Sequence, residues 1–203
     1  MRKGVIDETT VHTHPAQAAR GRRQRGQSTV EFAISSIVLL LLMTGLLDLS
    51  RAFFFAVDVR AAAREGARHG IWFNTSTRQN EFMSDGDIKL AVDQTLKGAG
   101  IGPSILAGGC PGSPPYNAPY PSSAYGSPGQ VMLYICYDNL GTAQGAGSCC
   151  TADPIPDDLF WTGKDLNVIV LYNYPFVTGF LSNFLGSGIQ IPANQHMMMQ
   201  GHP

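Results

Sequence analysis

Phe32–Leu47, FAISSIVLLLLMTGLL, is a sixteen-residue run without a charge, and the octapeptide Arg25–Phe32, RGQSTVEF, leads into it. The run has the composition of a membrane helix but only about four-fifths of the roughly 20 residues a span requires. Starting the span at Gln27 supplies the length and brings Glu31 into it. A carboxylate costs about 2.5–3.5 kcal/mol near the bilayer centre and less towards the edge, so Glu31 calls for a partner. Whatever the chain does is tied to how that charge is satisfied.

Working outward, residues 1–26 carry Arg2, Lys3, Arg20, Arg22, Arg23 and Arg25 against Asp7 and Glu8, a net +4, whereas residues 27–203 carry a net −5. Basic residues before an apolar run hold the amino terminus in the cytoplasm. Four arginines between Arg20 and Arg25 also suit nucleic acid, but the acidic remainder offers no basic surface, and nucleic-acid binding is excluded on that ground. The 203 residues leave room for the apolar segment and one exported domain of about 130 residues with a core of its own.

Three readings of the apolar run compete. A secretory signal peptide has a shorter apolar core and a small-residue cleavage site close behind it; here Leu47 is followed by Asp48-Leu49-Ser50-Arg51 and then Phe53-Phe54-Phe55. An ordinary single-pass anchor accommodates the length but leaves Glu31 unexplained. A type IV-like precursor, cut after Gly26 by an aspartic peptidase on the cytoplasmic face, explains it. The α-amino cation freed on Gln27 lies one helical turn from Glu31, and in a filament the carboxylate of one subunit meets the amino terminus of its neighbour. Such a pair gains little over an apolar substitute, yet removing one partner costs several kcal/mol, so the pair sets register. Gly26 suits a site where a protease needs an unhindered, extended backbone.

Past the run, Ala52, Ala56, Val59, Ala63, Gly66 or Ala67, and Gly70 recur at steps of four and three, a narrow stripe of small residues on a helix. Arg60, Arg64 and Arg68 line a neighbouring face, and Gly70 is a stop signal. Gln27 to His69 would be one rod of about 64 Å. On physical grounds alone, Ala61–Arg68 (AAAREGAR) is also simply a good helix end.

The string RGQSTVEF, the apolar run, LDLSR at Leu47–Arg51, and AAAREGARHG at Ala61–Gly70 closely resemble the TadE-like proteins, minor pseudopilins of the tight-adherence (Tad/Flp) pilus machinery of bacteria. About 45 residues carry the resemblance, and Asn167–Phe176 follows the family pattern more loosely. Asp48, Arg51, Arg64, Glu65, Gly66, Ala67 and Arg68 are its motif positions. Members commonly have a proline near Ile37, absent here, so no kink is expected. The resemblance implies processing at Gly26/Gln27, an assembly role for Glu31, and an inner-membrane protein with its carboxy-terminal domain in the periplasm. It implies as partners a prepilin peptidase, other minor pseudopilins, the major pilin, the inner-membrane platform and the lipid bilayer. The rival reading is an uncleaved, membrane-anchored periplasmic scaffold or binding protein.

The exported part, residues 71–203, reads as α+β. A helix is expected over Glu81–Lys97, with Ile88, Leu90, Ala91, Val92 and Leu96 as contacts. Strands are expected at Val131–Tyr137, Leu166–Tyr174 and Ser187–Ala193, forming a small, mainly antiparallel sheet. Gly98–Gln130 holds eight glycines and seven prolines and is expected to be a long surface loop. Its Tyr116, Tyr120 and Tyr125 are either contact points or ordinary low-complexity residues. The four cysteines, Cys110, Cys136, Cys149 and Cys150, all follow the apolar run; in an oxidising compartment an even count suggests two disulfides. Adjacent Cys149 and Cys150 rarely bridge each other, so each is expected to reach Cys110 or Cys136. A zinc site lacks the spacing.

Catalytic motifs are missing from the sequence: it has no nucleotide-binding loop, no Gly-x-Ser-x-Gly elbow and no H-E-x-x-H. Asp85-Gly86-Asp87 lacks the further ligands of a calcium loop, and Asp157-Asp158 lies in a solvated Pro-rich loop. His196, Met197–Met199 and His202 suit copper in type but read better as a short apolar tail that docks or frays. The expectation is a non-enzymatic protein without cofactor or metal.

Overall fold

The computed structural model describes residues 20–74, 76, 79–80, 84–109, 111–112, 117–138, 165–178, 181–183, 186 and 188–199. Two compact units divide the chain, Met1–Thr44 and Gly45–Pro203. Helix α1, Arg20–Gly70, belongs to both. It begins within the basic leader, ahead of the start at Gln27 expected from sequence, because Arg and Gln propagate a helix readily.

In the first unit the apolar run stands with its side chains outward. An 18-residue window of the helix reaches a mean hydropathy of 2.2, and none of that window is buried. By length and composition this helix can cross a membrane. Two of the apolar run's three hydroxyls are satisfied locally: Ser36 Oγ donates to the Ala33 carbonyl at 2.8 Å, and Thr44 Oγ1 to that of Leu41 at 3.0 Å. A hydroxyl bonded to its own helix presents no open hydrogen-bonding group to lipid.

The second unit is a mixed four-stranded sheet with helices on one face. After the short hairpin β1 (Phe73–Asn74) and β2 (Gln79–Asn80) comes α2, Asp85–Gly98, capped by Ser84, whose side chain accepts from the Asp87 N–H. Then follow β3 (Ile105–Leu106), β4 (Val131–Asp138), β5 (Asp165–Pro175) and β6 (Gly188–Met198). Sheet order is β3-β4-β5-β6. Strands β4, β5 and β6 are antiparallel, while β3 pairs parallel to β4.

Alternation sorts the strands into two layers. Val131, Leu133 and Ile135, with Leu166, Val168, Val170, Tyr172 and Tyr174, face α1 and α2 across the main core. Tyr134, Cys136, Ile169 and Leu171 face the opposite way and are covered by Tyr120 and Ala124. Burial on both faces accounts for the apolar stretches Val131–Cys136 of β4 and Val168–Tyr172 of β5. On α2 the inward residues are Ile88, Val92 and Leu96, one turn apart; Leu90 is exposed, since two residues rotate a helical position by about 200°.

The Gly/Pro-rich stretch departs from expectation. It contains β3 and a 3-10 turn at Ser122–Ala124, and its carboxy-terminal half lies on the sheet. The Tyr134 hydroxyl donates to the Ala124 carbonyl at 2.7 Å, and the Asn173 amide to that of Gly126 at 2.9 Å. Tyr120 is buried and Tyr125 half-buried; burial pushes the Tyr120 phenol up to about 12. Tyr120 is a core residue and Tyr125 packs against the same cluster. Tyr116 lies outside the described residues. The expected apolar tail docks: His196–Met198 complete β6, which extends past the expected Ser187–Ala193, and Met199 is buried, while His202 lies outside the described residues.

Candidate functional site: the helix face and its anchoring turn

Small residues on α1 determine how closely the rest of the unit approaches. Ala52, Val59, Ala62, Ala63 and Ala67 are buried. A Cβ added to Gly66 would fall 2.5 Å from Val92 Cγ2 and 3.2 Å from Val168 Cγ1; one added to Gly70 would fall 2.3 Å from Leu166 Cδ2 and 2.9 Å from Ile88 Cδ1. Both glycines therefore mark places where α2 and β5 close on the α1 backbone. Gly70 ends the helix, but its role there is this approach.

Strand β5 runs against α1 in the opposite direction. Leu166 faces Gly70 and Val168 faces Gly66, while Phe55 meets Tyr172 and Tyr174 with ring centroids 5.9 and 5.5 Å apart. Beyond the strand, Asp48 takes the chain. Its carboxylate accepts from the Val177 N–H at 3.3 Å and the Thr178 N–H at 3.1 Å, and the Thr178 hydroxyl donates to the same group. From Asp48 to Gly70 the helix rises about 33 Å, and from Leu166 to Val177 an extended chain covers about 36 Å. The lengths match, so a carboxylate at position 48 meets the turn that leaves β5. Asp48 is 2% exposed. Tyr174 lies close by; burial, then the Asp48 charge, pushes its phenol above the usual value.

The motif positions thus divide by face. Asp48, Gly66 and Ala67 point inward and hold the domain on the helix. Arg51, Arg64, Glu65 and Arg68 are exposed, with the Arg68 guanidinium 5.9 Å from the Trp72 ring centre. Arg60, Arg64 and Glu65 border a groove of about 660 Å³, shared with Thr95 of α2 and Pro192–Gln195 of β6. Strand β6 has no further strand on its outer side among the described residues. Cationic side chains beside an open strand edge offer a partner both charge and backbone hydrogen bonds.

At the amino-terminal end, Gln27 Nε2 donates to Glu31 Oε1 at 3.2 Å. The two residues share a helix face one turn apart, which is the spacing that the pairing argument needs. The backbone at Gly26 is helical, whereas an extended one was expected. Glycine weakens a helix by about 1 kcal/mol relative to alanine, which makes this position easy to open.

Cys136 is fully buried in β4 and is not a free thiol; Cys110, Cys149 and Cys150 lie outside the described residues. So does Asp157-Asp158. Asp85 and Asp87 serve the first turn of α2, and no cluster of metal-ligating side chains occurs among the described residues. His196 Nδ1 lies 3.3 Å from buried Asp165 Oδ2. Sequence reasoning missed the Asp48 turn, because its partners lie 129 and 130 residues away.

Residues 26–68 match the family model of TadE-like proteins, in agreement with the resemblance read from the sequence. No curated protein and no solved structure matches the chain.

Proposed function

We propose that this chain with a TadE-like amino-terminal segment is a non-catalytic minor pseudopilin, acting in assembly of a bacterial tight-adherence pilus. The observation that carries the reading is the family match over residues 26–68, which takes in Gly26, Gln27, Glu31 and the motif through Arg68. A prepilin peptidase cuts after Gly26, and the helix from Gln27 holds the protein in the inner membrane with its amino terminus cytoplasmic. Residues 71–203 then lie in the periplasm, where Cys136 and Cys110 take Cys149 and Cys150 as disulfide partners. The cleaved Gln27 amino group pairs with Glu31 of an adjacent subunit. Arg60, Arg64 and Glu65 beside the β6 edge form the surface that meets another pseudopilin, the major pilin or the platform. The peptidase performs the only chemistry.

Co-expression with a prepilin peptidase tests this. The wild-type chain should shorten by its leader, and Gly26→Val should keep precursor length. If both keep precursor length, the second reading stands, an uncleaved membrane-anchored scaffold. The helical backbone through Gly26 in the intact chain favours that reading, and the same groove would then be its binding surface.

A further inference from the structure

The turn that follows β5 lies where the chain leaves the apolar run. Val177 and Thr178 are tied through their backbone N–H groups to Asp48, the residue immediately after Phe32–Leu47. A span from Gln27 to Leu47 has the length the hydrocarbon core requires, which sets Asp48 and the turn at the membrane boundary. A carboxylate facing lipid at that depth would be unfavourable. Here it is turned inward and satisfied by the turn's own donors, so the first charge after the run is withdrawn from the surface.

Most of the side chains that remain outward here are apolar, with Ser50 and Arg51 exposed among them. Val177 is 61% exposed, Leu49 46% and Phe53 66%. From Leu166 to Pro203 the sequence contains no Asp, Glu, Lys or Arg, so the turn itself brings no formal charge to the interface, and the exposed Arg51 beside it is long enough to keep its guanidinium among the headgroups. Apolar groups at this level gain by entering the headgroup and acyl boundary, where an interfacial element is buried about 5–10 Å. A protein partner would also cover them, but the attachment to Asp48 places them beside lipid before any partner arrives.

We infer that the turn around Val177, clamped by Asp48, is a second membrane contact that inserts its apolar side chains into the outer interface of the bilayer. The chain then meets the bilayer at two points, the helix and the turn. The inference rests on the membrane-spanning reading of α1.

Depth-resolved tryptophan quenching of the full chain in phosphatidylcholine vesicles tests it. With Trp72 and Trp161 replaced by phenylalanine, single reporters are placed as Val177→Trp, Leu40→Trp and Leu90→Trp. Leu90 is exposed on α2, whose Ile88 meets Gly70 at the far end of the domain. The Val177→Trp reporter should emit to the blue, lose most of its emission to lipids brominated near the headgroup, and resist aqueous iodide. Leu90→Trp should show the reverse. Adding Asp48→Asn, which keeps the size but weakens the clamp, should move the Val177→Trp reporter towards iodide. Lipid quenching at Leu40→Trp with iodide quenching at Val177→Trp overturns the inference and leaves the span intact. Iodide quenching at both overturns the span as well.

Discussion

Asp48 and Asp93 are two carboxylates that each tie a helix to a later segment of the chain, and each carries a separate prediction. Asp48→Ala leaves the Val177 and Thr178 N–H groups without their acceptor. A hydrogen bond to a charged group contributes about 1.5–3 kcal/mol, so the variant should lose about 3 kcal/mol against urea in detergent micelles. New proteolysis near Thr178 should accompany the loss, whereas Thr178→Val, which removes only the hydroxyl, should cost about 1 kcal/mol. Asp93 accepts from the Ser104 N–H at 2.7 Å and the Ser104 hydroxyl at 2.6 Å, and pairs with Lys89. Burial pushes its acid upward, but the bonds from Lys89 and Ser104 outweigh that and hold it below the ordinary carboxylate value. A depressed folded-state value stabilises above the unfolded value, and that stabilisation disappears as pH falls through the folded one. Wild type should therefore exceed Asp93→Asn by about 2 kcal/mol at neutral pH. The gap should close below about pH 4, as read from denaturation midpoints across pH; a gap of constant size would contradict the assignment.

Among the elements, α1 carries the decisive packing, and Gly66 is one of its two tightest positions. Alanine there gains up to about 1 kcal/mol of helix propensity, but its Cβ meets Val92, whose branched side chain is nearly fixed on a helix. Overpacking costs about 1–3 kcal/mol, so Gly66→Ala should destabilise the domain, and Gly66→Ala with Val92→Ala should recover part of the loss in a double-mutant cycle. Additive effects would mean that the two residues do not touch. Much of this was legible beforehand. The stripe from Ala52 to Gly70 is helical in period, and β4, β5 and β6 show strand composition. Leu90 was misplaced because it is apolar but lies off the 88-92-96 face. Tyr120 and Ala124 were unreadable because a Pro/Gly-rich stretch has no period, and its place is decided by Tyr134 and Asn173 far along the chain. The parallel pairing of β3 is two residues long and leaves no pattern. Asp48 carried a motif signal, but its hydrogen-bond partners are non-local and came only with the structure.

The whole molecule has two units, an apolar helix through Thr44 and a sheet domain from Gly45 onward, and the pilus reading assigns each a part. Glu31 belongs to assembly: Glu31→Ala should be processed normally yet reduce surface pili at least tenfold, by loss of a charge pair worth several kcal/mol when broken. Normal piliation in that variant would remove the pairing argument while leaving the membrane span in place. The central claim is the cut between Gly26 and Gln27, since it alone separates a pseudopilin from an anchored scaffold or a secreted protein. Amino-terminal sequencing of the membrane-extracted protein, from cells with and without their prepilin peptidase, tests it most directly. The account predicts a start at Gln27 that disappears when the peptidase is absent; an intact Met1 in both strains, or a start beyond Leu47, would contradict it.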